Sequence, residues 1–178
     1  LKIIESSKVI KWFCTNPPLH NSNKIVPLPI GFEEKERAGG DQALISHFYA
    51  NKASFNSKKD KVLLPYHTLN TNPQRTRLFE ELSKLDFVEV QRDKYVVCLE
   101  GSGPDVHRNY ECLLVNSIPI NIENTVKRLF NYHKLPGVFL PDWSSLDIKS
   151  LSDQVYDFES VDKFLKIKYH HDLLRGEI

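Results

Sequence analysis

Short apolar runs alternate along the chain with longer stretches whose apolar residues recur every three or four positions. Lys8–Thr15 (KVIKWFCT) reads as a strand stopped by Asn16-Pro17-Pro18, and Lys24–Pro29 (KIVPLP) as a short extended run closed by Ile30-Gly31. Glu33–Gly40 is charged and contains glycine, the composition of a linker or mobile loop. Gln42–Asn51 is a predicted helix with Asp41 as its cap. Lys61–Tyr66 is a buried strand type, with Pro65 at its end. After a loop at Thr68–Asn72, Pro73 opens a helix that runs to Leu85, with Leu78, Phe79, Leu82 and Leu85 at helical spacing. Phe87–Val90, Tyr95–Leu99, Ser117–Ile120 and Gly137–Leu140 read as strands. Val106–Val115 (capped by Asp105), Glu123–Lys134 and a long closing segment, Phe158–Leu174, read as helices.

Strands alternating with helices predict an α/β fold with a doubly wound, mostly parallel sheet. In such sheets ligands bind beyond the carboxyl ends of the strands. The loops at Glu100–Pro104 and Thr68–Asn72 both fall there.

The chemistry concentrates in 95–120, YVVCLEGSGPDVHRNYECLLVNSIPI. An apolar strand enters the loop Gly101-Ser102-Gly103, and a helix follows. This order makes an anion site, because unpaired backbone N–H groups and the helix dipole face the ligand. Glycines at 101 and 103 allow positive φ and close backbone approach. Val106, Tyr110, Leu113 and Leu114 share the face turned to the sheet. His107, Arg108 and Glu111 lie on another face, within reach of one object. The alternative is a solvated face with an Arg108–Glu111 ion pair. A cation in the first turn opposes the helix dipole, which favours the ligand reading. The loop lacks the GxGxxG and Walker spacings, so neither nicotinamide nor P-loop chemistry is implied.

Composition narrows the picture. The chain has 178 residues, 40% apolar and 26% charged, with a formal net charge of +1, so it carries no global field for nucleic acid or an anionic membrane. Its length suits one domain, or one lobe plus part of another. No apolar run approaches the roughly 20 residues of a membrane helix. The three cysteines, Cys14, Cys98 and Cys112, lack metal-ligand spacing and read as buried hydrophobes in a reducing compartment. No Asn-x-Ser/Thr acceptor occurs. Together these point to the cytoplasm, with a Golgi lumen as the alternative for a fragment of an anchored enzyme. The chain contains no methionine, which suggests a fragment or methionines missing from the sequence as given.

The run Leu99–Ile120 resembles the nucleotide-sugar-binding segment of exostosin-like glycosyltransferases: a glycine-bearing loop, Asp105-x-His107-Arg108, then Glu111, then Ser117-Ile118-Pro119-Ile120. Lys24–Gly31 is similar to the entry to the second lobe of GT-B enzymes. Arg75 or Arg77 is similar to an arginine on the family's R-x-x-L-type helix. Leu135-Pro136-Gly137-Val138 with Asp142-Trp143 is similar to its closing segment. The chain departs from the pattern at Asn116-Ser117, where glycine is usual, and at the inserted Gly137.

The resemblance implies a GT-B glycosyltransferase, with residues 1–30 ending an acceptor lobe and 31–178 forming the Rossmann-like donor lobe. The ligand would be a nucleoside-diphosphate sugar, UDP-linked, and the acceptor a glycan hydroxyl. Glu111 would accept from the ribose hydroxyls, Arg108 with Arg75 or Arg77 would neutralise the leaving diphosphate, and His107 would donate to a phosphate or sugar oxygen. Gly101, Ser102 and Gly103 would cradle the phosphates. No metal is then required, and no catalytic base is assigned. Two other readings compete: a non-catalytic nucleotide- or glycan-binding lobe of the same fold, and an unrelated α/β phosphate-binding enzyme with a convergent loop. Tyr169-His170-His171-Asp172 reads as an exposed helix face rather than a metal patch.

Overall fold

The structure, a computed structural model, describes residues 2–18, 22–65, 72–89 and 93–178. Among them, β1 (Trp12–Cys14) and β2 (Ile25–Pro27) form a small parallel pair. The main sheet contains β3 (Lys59–Leu63), β4 (Val88–Glu89), β5 (Asp93–Val97), β6 (Ile118–Ile122) and β7 (Val138–Leu140). Its order is β4-β3-β5-β6-β7 and every pairing is parallel. β4 adds only two residues at one edge, so four strands carry the sheet. Helices alternate with the strands: α1 (Gln42–Ala50), α2 (Gln74–Leu82), α3 (His107–Leu114) and α4 (Thr125–His133), then α5 (Ile148–Ser152), α6 (Glu159–Phe164) and α7 (Ile167–Arg175). This is the expected α/β architecture, Rossmann-like in character. The chain moves from β3 outward to β4, then returns to the other side of β3 as β5, which makes the β3/β5 boundary the topological switch point.

β5 and β6 are buried on both faces along most of their length, which fits their largely apolar sequences, whereas β3 begins exposed at Lys59 and Asp60. Val62, Tyr95, Val97, Leu99, Ile118 and Ile120 pack with Leu82 of α2 and Leu151 of α5. Val96 and Cys98 turn to the opposite face and meet Cys112 of α3. The sulfurs of Cys98 and Cys112 are 3.9 Å apart in that buried layer, whereas Cys14 is only half-buried, less than its strand position suggested. Tyr110 and Leu113 pack with Leu129 and Phe130 of α4 and with Phe164 of α6. Gly137 has a packing role, since a Cβ there would lie 2.8 Å from the Phe130 ring.

The closing segment is two helices, not one. Lys166 is extended between α6 and α7 (φ −88°, ψ 131°), and the His170 ring nitrogen Nε2 donates to the Phe164 carbonyl at 2.7 Å, satisfying a helix-end acceptor. The short α5 and the 3-10 turn at Trp143–Ser145 carry too few apolar positions for periodicity to reveal them. The ends of two expected strands, Tyr66 and Val90, and 68–71 of the expected loop lie outside the described residues.

His133 at the end of α4 locks β2 and α7 to the body. Its Nε2–H donates to the Pro27 carbonyl and its Nδ1 accepts from the Tyr169 hydroxyl, both at 2.9 Å. This is the pairing of the neutral ring. Burial lowers its pKa from 6.5 to about 4, with the Pro27 hydrogen bond opposing and His170 reinforcing the shift. The folded state therefore binds fewer protons than the unfolded chain between these values. This stabilisation is complete above pH 6.5 and is lost as pH falls toward 4, by about 3 kcal/mol at most. Urea titrations across that range should show the loss, and His133→Gln should flatten it.

Candidate functional site

The loop after β5 is held from the β3 side of the switch point. Arg75, on the first turn of α2, is only 8% exposed. Its Nε donates to the Glu100 carbonyl at 2.7 Å and its Nη2 to the Leu99 carbonyl at 2.8 Å. Burial, then the nearby Arg108 charge, pulls the Arg75 pKa down. A Cβ on Gly101 would lie 3.0 Å from Arg75 Nη2, so glycine makes room for the guanidinium. Neither Gly101 nor Gly103 takes positive φ; close approach is the reason for glycine there, not left-handed backbone. Arg77 points outward and pairs with Glu81 at 2.9 Å, so of the two arginines only Arg75 lines the cleft.

Asp105 does not cap α3. The N-cap residue is Val106, which makes no side-chain cap bond. The Asp105 carboxylate instead lies buried and accepts from the Ile30 amide at 3.0 Å, from Asn109 Nδ2 at 3.1 Å and from the Tyr110 hydroxyl. Asn109 in turn accepts from Asn121 of β6 at 3.0 Å. Burial pushes the Asp105 pKa up against the opposing effect of these hydrogen bonds. The Asp105 amide donates to Asn16 Oδ1, which brings the end of β1 to the same point.

Residues 28–40 cross α3 as a strap. Asp105 holds it at Ile30, and Gly31 follows with φ +74°. The Gly31 carbonyl accepts from His107 Nδ1 at 2.7 Å. A neutral His107 so bound has only an acceptor left at Nε2, so donation to a phosphate oxygen requires the doubly protonated ring. Further along, Glu33 and Arg37 face α3. The stretch expected to be a linker or mobile loop is thus one wall of a cleft.

That cleft has a volume of about 390 Å3. Arg75, Gly101, Ser102 and Gly103 line one side, His107, Arg108 and Glu111 the next, and Glu33 and Arg37 the strap side. Arg108 Nη1 and Glu111 Oε2 form an ion pair at 2.5 Å, 39% and 25% exposed. The ion pair and the shared cleft wall therefore coexist. A hollow of about 250 Å3 adjoins the cleft across Arg75 and Leu99, lined by Asn72, Gln74, Glu100, Asp142 and Trp143. A separate groove of about 310 Å3 between the strap and α6–α7 is mostly apolar, and the polar side chains at it are Tyr110 and His170.

Among the described residues, no group of three or more His, Cys, Asp or Glu converges as a metal site, and no helix is long and apolar enough to cross a membrane. His171 is exposed beside Asp172, and His170 is spent on Phe164. No protein-family model matches the chain, and no curated protein matches it.

Sequence reasoning missed the strap residues Glu33 and Arg37, the contact from Asn16, and the buried run Asp105–Asn109–Asn121. The last had a signal: Asn109 stands four residues after Asp105, where a helix or its edge brings side chains together. The others had none, because chain crossing alone brings them to α3.

Proposed function

We propose that this chain is the donor-binding lobe of a metal-independent glycosyltransferase of GT-B type, moving a sugar from a nucleoside-diphosphate sugar, uridine-linked, to a glycan hydroxyl. The observation that carries this reading is the convergence of Arg75, Arg108, His107 and Glu111 with the 101–103 loop in one cleft at the switch point. The resemblance of 99–120 to exostosin-like enzymes supports the same assignment.

In this reading the diphosphate lies against Gly101–Gly103 and the start of α3. The bond between the anomeric carbon and the diphosphate oxygen breaks, and the electron pair leaves with the diphosphate. The acceptor oxygen forms the new bond to the anomeric carbon, and its O–H bond breaks with the proton passing to water. Arg75 and Arg108 stabilise charge as it develops on the leaving group, and their fixed positions require no reorganisation during the step. The lining of the hollow beside Trp143 suits a pyranose, with an aromatic ring and several polar groups.

Calorimetry with uridine and guanosine diphosphates in EDTA tests the binding half. Uridine diphosphate should bind, and Glu111→Ala or Arg108→Ala should weaken it about tenfold or more. Failure of every nucleoside diphosphate to bind overturns the reading. Binding without donor hydrolysis or transfer to any glycan acceptor would leave a nucleotide-binding lobe without catalysis.

A further inference from the structure

We infer that the space between α1 and the main sheet is a second binding site, suited to an apolar ligand that carries one acid group. The site does not depend on what fills the cleft.

α1 covers its part of the sheet without packing closely on it. Its sequence, QALISHFYA, is largely apolar, yet none of its residues is buried, and Leu44 and Phe48 are 42% and 43% exposed. Polar bonds at the rim hold it in place instead. The Tyr49 hydroxyl and Lys52 Nζ both donate to Asp162 of α6, at 3.0 and 2.6 Å, and Asn116 Nδ2 donates to the Ala53 carbonyl at 3.1 Å. Beneath lies a pocket of about 570 Å3, larger than the cleft at about 390 Å3 and within the size range of small-molecule sites. Leu63 and Val96 of the sheet, Cys112 of α3 and Phe48 of α1 give it apolar walls. The buried core beside it is thin, since only Val96, Cys98 and Cys112 cluster there. An apolar ligand body would supply the packing that α1 leaves unmade.

Charge specifies the rest of the ligand. Four cations line the pocket, Lys52, Lys58, Lys59 and Arg108, with two carboxylates, Asp93 and Glu111, and a neutral His47. Asp162 holds Lys52 from outside the lining, which brings the carboxylates to three and leaves one positive charge in excess. A single anionic group balances it. A nucleoside diphosphate would bring more negative charge than the pocket matches. Arg108 is the natural partner for the acid group. Glu111 engages its Nη1, and a guanidinium carries five donors in a planar fork that a second anion can share. Arg108 and Glu111 also line the cleft, so the occupant would meet the cleft's own ion pair from behind.

The probe is anilinonaphthalene sulfonate, an aromatic body with one sulfonate, titrated by calorimetry on the intact chain. Phenylnaphthylamine, the same body without the charge, is its comparison. The wild-type protein should bind the sulfonate at one saturable site, about tenfold more tightly than the uncharged compound. Ala53→Trp should fill the pocket from its exposed rim and weaken the sulfonate about tenfold or more. Arg108→Ala should weaken the sulfonate similarly and leave phenylnaphthylamine within about twofold. Leu174→Ser, at the half-exposed edge of the apolar groove beside α7, is the control and should change neither. Circular dichroism confirms that each variant is folded. Absence of saturable binding, or equal affinity for the two compounds, overturns the inference. So does a sulfonate affinity unchanged by Ala53→Trp or by Arg108→Ala, or a larger loss in Leu174→Ser than in Ala53→Trp.

Discussion

Asp105→Ala should lower the unfolding free energy by about 4 kcal/mol, within the range for removing one partner of a buried charged network. For a chain of this size that is a fall in Tm of roughly 10 °C. The cost does not come from the carboxylate alone. Its removal leaves the Ile30 amide, the Asn109 amide group and the Tyr110 hydroxyl without their acceptor in a buried place, where an unmade hydrogen bond is expensive. The Ile30 bond also positions the strap, so on the proposed reading nucleotide affinity should fall even below the melting range. Thermal denaturation followed by circular dichroism checks the first effect, and calorimetry well below Tm the second. Asp105→Asn should be milder, because its amide oxygen still accepts. A loss under 1 kcal/mol for the alanine variant would mean that Asp105 does not hold the strap.

On the proposed donor-lobe reading, Arg75→Ala should weaken uridine diphosphate binding by a hundredfold or more. Two effects combine. The guanidinium is the most deeply buried cation of the cleft, and a charge-assisted hydrogen bond there is worth about 1.5–3 kcal/mol. It also fixes the Leu99 and Glu100 carbonyls, and so the course of the glycine loop. Arg75→Lys should recover little, since a single ammonium cannot reproduce the fork that spans both carbonyls. Arg77→Ala is the control. Its side chain pairs with Glu81 on the outer face, and binding should stay within about twofold of wild type. Equal losses in the two alanine variants would show that Arg75 acts through general charge rather than through its place in the loop.

The parallel sheet was legible because its central strands, β5 and β6, are largely apolar on both faces and its helices have clear periodicity. The lengths of β3, β5 and β6 differ from expectation only at their ends. The position of the cleft was legible too, since the 101–103 loop and His107, Arg108 and Glu111 are contiguous in sequence. Local rules failed where distant segments meet. Asp105 has the identity and position of an N-cap, yet a partner 75 residues upstream takes its carboxylate. The expected long helix over 158–174 has no proline to mark its break; His170 turning back to Phe164 makes the break tolerable. Glycines 101, 103 and 137 looked like sites of backbone freedom or insertion. Each is set by a side chain that packs where a Cβ would stand: Arg75, Asn16 and Phe130.

The strap also bears on how the protein is divided for experiments. A cut between residues 30 and 31 looks natural from the order of elements, and it would leave the whole main sheet in one piece. That piece would lack Asn16 and Ile30, two of the partners that surround Asp105, and Pro27, which His133 needs. An excised sheet could keep its secondary structure and still fail to take up ligand, so a truncation series scored by spectroscopy alone would set the boundary of the working unit too late.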